Sequence, residues 1–77
     1  MSISAYVFVE CRAGTVRKVT KELSTIVGVQ TAHATTGPYD VIALIQAEDT
    51  YILGEFILTK IQAIPGVLRT QTNVIVH

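Results

Sequence analysis

Two segments of this chain, Ile26-Val27-Gly28-Val29 and Ile64-Pro65-Gly66-Val67, share one pattern and lie 38 positions apart, about half of the 77 residues. The same offset carries Val19 onto Ile57 and Leu23 onto Ile61. A repeat at a fixed offset marks one supersecondary unit used twice, so the chain reads as two similar halves. Each half must therefore hold the same elements in the same order.

In the first half, Ile3, Ala5, Val7, Val9 and Cys11 alternate with Ser4, Tyr6, Phe8 and Glu10, the period-2 signature of a strand. Gly14 ends it and Thr15 stands where a helix N-cap belongs. Val16, Val19, Leu23, Ile26 and Val27 then form one apolar stripe opposite Arg17, Lys18, Lys21 and Glu22, which predicts a helix closing at Gly28. Val29 to Thr36 is rich in Val and Thr but has no clean apolar face, as expected of an edge strand.

The halves meet at Thr36-Gly37-Pro38-Tyr39-Asp40, a Gly-Pro turn that runs directly into Val41-Ile42-Ala43-Leu44-Ile45. Tyr39, Val41, Ala43, Ile45 and Ala47 are expected on one face of this strand, and Asp40, Ile42, Leu44 and Gln46 on the other. Both faces have apolar middles. Asp49 then caps a second helix whose stripe is Leu53, Phe56, Ile57, Ile61 and Ile64, with Pro65-Gly66 stopping it. Tyr51, Ile52 and Leu58 lie off that stripe and suggest a further contact surface. Val67 to Val76 alternates as a last strand. Two strand-helix-strand halves joined by a hairpin predict an α+β, ferredoxin-like βαββαβ fold, with a four-stranded antiparallel sheet and both helices on one face.

The other sheet face then needs a cover, and the composition agrees. The chain is 49% apolar and only 16% charged, against about 25% charged in an average soluble domain. A domain of this length buries roughly 60% of its unfolded surface and is marginal alone, so pairing of two copies through the sheet is expected. Six basic and six acidic side chains cancel, which gives no electrostatic reason to bind nucleic acid or an anionic membrane. Cys11 is the single cysteine, so no intrachain disulfide forms. With no signal-peptide pattern and no apolar run near 18 residues, a cytoplasmic address without a membrane span is the expectation.

No catalytic or metal-binding set emerges. Cys11, His33 and His77 lack ligand spacing, and the carboxylates are dispersed. Cys11 with His33 as a thiol nucleophile is the enzymatic alternative, but Cys11 falls on the small aliphatic face and reads as a space-filler. Tyr6 and Phe8 suggest RNA-stacking aromatics only until the neighbouring strand is read, where Ile42 and Leu44 stand instead. The turn is different: Gly37 permits backbone angles closed to other residues, Pro38 lacks a donor, and Asp40 sets a carboxylate at the mouth of a hairpin. Such a carboxylate suits an ammonium group, while Thr36, Thr50, Thr70 and Thr72 offer hydroxyls to a carboxylate. The competing reading is that Asp40 only caps the turn.

Taken together, Thr36-Gly37-Pro38-Tyr39-Asp40-Val41-Ile42, the helix opening at Asp49-Thr50, Ile64-Pro65-Gly66-Val67 and Thr70-Gln71-Thr72-Asn73-Val74-Ile75 resemble the C-terminal effector domain (RAM domain) of the Lrp/AsnC, or feast/famine, transcription regulators. The resemblance covers nearly the whole chain. It implies a non-enzymatic module without cofactor, with a free amino acid as effector, bound between homodimers that assemble into tetramers or octamers. Carried onto this sequence, the ligand-binding positions are Gly37, Tyr39, Asp40, Thr50, Thr72, Asn73 and Val74, with Asp40 assigned to the ammonium group and the turn backbone to the carboxylate; the hydroxyls of Thr36 and Thr70 join them as candidate ligand contacts. Full-length members of the family also carry a helix-turn-helix, for which this chain has no room ahead of Ile3. The expectation is a single domain over 1–77 that does not bind DNA directly and acts alone or by co-assembly with a full-length regulator. A small dimeric ferredoxin-like enzyme and a ligand-free structural partner are the alternatives.

Overall fold

The computed structural model describes residues 2–77. Strand β1 (Ile3–Cys11) leads to helix α1 (Val16–Ser24) and strand β2 (Val29–Ala34), and strand β3 (Val41–Ala47) leads to helix α2 (Thr50–Phe56) and strand β4 (Val67–Val74). The four strands form one antiparallel sheet in the order β2-β3-β1-β4, which is the ferredoxin-like βαββαβ arrangement expected from the repeat. As predicted, β2 is an edge strand, and β4 is the other.

The core lies between the sheet and the helices. Ala5, Val7 and Val9 of β1 and Val41, Ala43 and Ile45 of β3 are fully buried, against Val19 and Leu23 of α1 and Leu53, Ile57 and Ile61 of the second helical segment. The alternate residues of the same two strands, Tyr6, Phe8, Ile42 and Leu44, face the side with no helix. In register, Tyr6 pairs with Leu44 and Phe8 with Ile42, and all four stay partly exposed. Thr31 and His33 extend these rows on β2, and Asn73 and Gln71 extend them on β4.

The repeat is visible as hydrogen bonds. Ile26 N–H donates to Leu23 O and Val29 N–H to Ile26 O; 38 residues on, Ile64 N–H donates to Ile61 O and Val67 N–H to Ile64 O, all at 3.1 Å. Gly28 and Gly66 take φ of 103° and 102° in these turns. Each glycine carbonyl then accepts a bond from a central strand's exit, Gln46 N–H at 3.0 Å and Arg12 N–H at 2.7 Å.

Several details differ from the reading of the sequence. Helix α1 ends at Ser24 rather than Gly28, because Thr25, Ile26 and Val27 are β-branched and hold helical backbone weakly. The chain there passes into turns, and Val27, expected in the buried stripe, is 92% exposed. Thr15 occupies the N-cap position of α1, but its hydroxyl donates to Arg12 O at 2.6 Å instead of accepting a helix N–H. Asp49 does cap α2, accepting Ile52 N–H at 2.8 Å. Beyond Phe56 the helix widens into a π turn, Ile57–Ile61, in which Gln62 N–H reaches Ile57 O. Tyr39, expected on the face of Val41, lies across the opposite face, since residues 39 and 40 precede the regular strand and escape its alternation.

Candidate functional site

Asp40 is held by three backbone contacts. Its N–H donates to Val9 O and its carbonyl accepts Thr35 N–H, both at 2.9 Å, while carboxylate Oδ2 accepts Cys11 N–H at 2.7 Å. This last bond satisfies a donor at the point where the β1–β4 register shifts between Glu10 and Cys11. The bond runs to a neighbouring strand, and among the described residues the carboxylate makes no bond to the turn's own backbone, which is the form of capping the sequence reading offered. Oδ1 makes no hydrogen bond among the described residues, and the half-buried carboxylate keeps one acceptor facing outward.

Tyr39 crosses the helix-free face. Its ring meets Phe8 edge-on, with centroids 5.6 Å apart and planes at 61°. Its hydroxyl donates to Gln71 Oε1 at 2.8 Å, and Gln71 Nε2 donates to Asn73 Oδ1 at 3.2 Å. Gln71 was not among the predicted residues, yet it ties the turn to the last strand. Its place two positions before Asn73, on the same face of a strand, was the available signal. Thr36 and Gly37 are exposed at the tip, and Gly37 has φ of 112° with open space around its Cα.

The other predicted residues lie elsewhere. Thr70, Thr72 and Val74 share the helix-side face of β4, where Thr70 accepts Gln62 Nε2 at 2.9 Å. Thr50 opens α2 beyond the far end of β3. With the seven residues of β3 between them, Thr50 and Asp40 are separated by roughly 20 Å at about 3.3 Å per residue. A single copy therefore gathers Tyr39, Asp40 and Asn73, through Gln71, but leaves Thr50 out of reach of any small molecule they hold. Neither a hollow of about 390 Å³ lined by Ser2, Gly28, Val29, Gln30, Gln46, Ala47 and Glu48 nor a groove of about 450 Å³ beside α1 includes any predicted residue.

Cys11 is buried on the helix side of β1, whereas His33 sits exposed on the opposite face, paired with Ile42. Burial, with the Asp40 carboxylate adding to it, pushes the Cys11 thiol above its ordinary value of 9.0, so the thiol stays protonated and is a poor nucleophile at neutral pH. Among the described residues no cluster of His, Cys, Asp and Glu is placed to hold a metal, and no helix is long and apolar enough to cross a membrane.

Comparison with known proteins bears on the same segments. A curated relative, an uncharacterized HTH-type transcriptional regulator of Pyrococcus abyssi (strain GE5 / Orsay), is 29% identical over 73 residues, 95% of this chain and 46% of its own length. The chain thus spans about half of that relative. A crystal structure of a Thermus thermophilus protein superposes with a TM-score of 0.91 at 28% identity, covering 97% of this chain and 94% of that one. A Neisseria meningitidis transcriptional regulator, solved as an L-Met complex, shares the fold with a TM-score of 0.87 at 21% identity, covering 97% of this chain and 50% of its own. The family model for the Lrp/AsnC ligand binding domain matches residues 4–77, and with the βαββαβ fold and the Gly37-to-Asp40 turn in place, the chain belongs to the Lrp/AsnC ligand-binding domain family.

Proposed function

We propose that this chain is a non-enzymatic regulatory module that senses a free amino acid at the Gly37-to-Asp40 turn and passes the signal on through its state of assembly. The observation that carries the reading is Asp40: a carboxylate fixed by its own backbone and by Cys11 N–H, with Oδ1 left open at the mouth of the hairpin. A pre-positioned carboxylate binds an ammonium group without first having to be ordered. The peptide groups around Gly37 take the ligand's carboxylate, and Tyr39 and Asn73 border its side chain. Thr50 completes the pocket only from a second copy, because one copy holds it at the far end of β3 from Asp40, while Thr70, Thr72 and Val74 lie on the other face of β4 from Asn73. The family's description as a ligand-binding domain supports this, as does the L-Met found with the Neisseria regulator.

The helix-free face, with Tyr6, Phe8, Ile42 and Leu44 at its centre, pairs two copies, and such dimers build tetramers or octamers. Action on transcription then runs through co-assembly with a DNA-binding relative in the cytoplasm, with no DNA contact by this domain. The ligand-free alternative has one observation in its favour: the three contacts of Asp40 are what a purely structural turn would also need.

Asp40→Asn separates the two, since its amide oxygen can still accept Cys11 N–H while the charge is gone. Thermal unfolding against a panel of amino acids is the measurement. A ligand at 100 times its Kd stabilises by about 2.7 kcal/mol, and each kcal/mol raises the midpoint of a domain this size by roughly 4–8 °C. The expected outcome is a clear shift for one or a few amino acids in the native chain, and none in Asp40→Asn at an unchanged ligand-free midpoint. A folded, assembled protein that responds to no amino acid would leave the partner role in its place.

A further inference from the structure

The cations of this chain are not spread evenly. Arg12, Arg17, Lys18 and Lys21, four of the six basic residues, lie on or just before α1, where Glu22 is the only acid. The single ion pair among the described residues, Arg69 to Glu10 at 3.1 Å, lies on the sheet and leaves Arg17 and Lys21 without an acidic partner. These two stand at i and i+4, one above the other on the same side of the helix.

That side borders a hollow. The edge strand β2 sets Ala32 and Ala34 on the helix side, in register with the buried Ala43 and Val41. Side chains this small leave a groove of about 450 Å³ bounded by α1 and the end of β2, lined by Val16, Arg17, Thr20, Lys21 and Ala34. The Thr20 hydroxyl donates to Val16 O at 2.8 Å, so its proton is already taken, and Arg17 and Lys21 are the side-chain donors that remain. Among the described residues no carboxylate lines the groove.

We infer that this groove is a small-molecule site for a simple carboxylic acid, whose apolar chain lies on Val16 and Ala34 and whose carboxylate meets Arg17 and Lys21. Apolar walls with a few placed polar groups are the usual make-up of such sites, whose volumes run from about 300 to 1,000 Å³. An ionised carboxylate accepts charge-assisted bonds from both cations. The same lining rejects a free amino acid, because its ammonium group would enter beside two positive charges with no acid to meet it. The groove shares no residue with the Asp40 turn, so the inference does not rest on amino-acid sensing there. The two sites select opposite chemistry: the turn requires the ammonium group, and the groove excludes it.

The test is a titration of the full chain with hexanoate, followed residue by residue in amide nitrogen–proton correlation spectra. Saturable shifts centred on Val16 to Lys21 and Ala34 are expected, with a Kd on the order of 1 mM for so small a ligand. Hexanol lacks the charge, acetate lacks the chain, and norleucine adds the ammonium group to the same chain. Each should bind the groove at least about tenfold more weakly. Arg17→Gln with Lys21→Gln should cost a similar factor, and so should Ala34→Leu, which fills the floor while keeping both cations. All three residues are exposed, and circular dichroism melts check that the variants fold. Asp40→Asn should leave hexanoate binding unchanged, which tells a failure here from a failure of amino-acid sensing at the turn. No saturation at these residues, an equal response there to acetate, hexanol or norleucine, binding that survives Ala34→Leu, or binding lost in Asp40→Asn would overturn the inference.

Discussion

A methyl group on Gly66 would lie 2.7 Å from the Thr15 hydroxyl oxygen and 2.8 Å from its Cβ, at a residue whose φ of +102° already disfavours side chains. Gly37 has a similar φ of +112° but nothing within 4 Å. The two positions therefore separate backbone strain from steric overlap. Gly37→Ala should cost about 1–3 kcal/mol, the range for a residue held in a sparse region of φ/ψ. Gly66→Ala should cost clearly more, because Thr15 must also move. Thermal or urea unfolding of the two variants gives the comparison, and equal losses would mean that the Thr15 contact relaxes freely. At this scale the sequence told where the glycines and Asp40 fall but not what they touch. Asp40 was legible as the exceptional carboxylate, yet its bond to Cys11 N–H joins residues 29 apart and depends on a register shift that no local pattern announces. Gln71 was missed for a related reason: a polar residue on an edge strand looks like any other until a tyrosine from the turn before β3 reaches it.

The helices show how far caps and periodicity carry. Asp49 accepts Ile52 N–H, whereas Thr15, at the equivalent position of the other helix, gives its hydroxyl to Arg12 O. Asp49→Ala should therefore cost about 1 kcal/mol and lower the midpoint by roughly 4–8 °C. Thr15→Ala should lose nothing through capping, and a calorimetric comparison of the two checks the order. The order of elements was readable because period-2 and period-3.6 stripes alternate twice at one offset. Where α1 stops was not, since Ile26 and Val27 continue the apolar spacing while their branched side chains, with Thr25, weaken the helix. The π turn at Ile57–Ile61 was equally hidden, because apolar residues at 57, 61 and 64 satisfy a helix of either pitch.

For the whole molecule, the decisive feature is a sheet whose helix-free face presents Tyr6, Phe8, Ile42 and Leu44 as paired neighbours. Leu44→Glu adds a carboxylate to a half-exposed site of a single copy, so the isolated fold should tolerate it. In a stacked pair the same charge would be buried without a partner, a loss of several kcal/mol. The expected result is a fall in molar mass and a midpoint that no longer rises with protein concentration. An unchanged mass would remove this face from the assembly. The candidate ligand residues were only half legible: those on the turn lie together within one copy, while Thr50 stands beyond the far end of β3, a separation that sequence pattern does not display.

The twin bonds of Gly28 to Gln46 and of Gly66 to Arg12 imply an approximate rotation axis through the sheet. Exchanging those bonds carries Arg12 onto Gln46 and Phe8 onto Ile42, two residues that already face each other in register, so the axis passes through that pair. To a second sheet the backbone is then nearly degenerate: turned by half a revolution, it offers the same pleats and spacing. The side chains are not degenerate, because the same rotation sends Leu44 to Glu10 and Tyr6 to Asp40. One end of the face is apolar and the other carries Glu10, paired with Arg69, beside the Asp40 turn, so in a sheet-paired dimer the two docking orientations that the backbone alone would leave equal would differ.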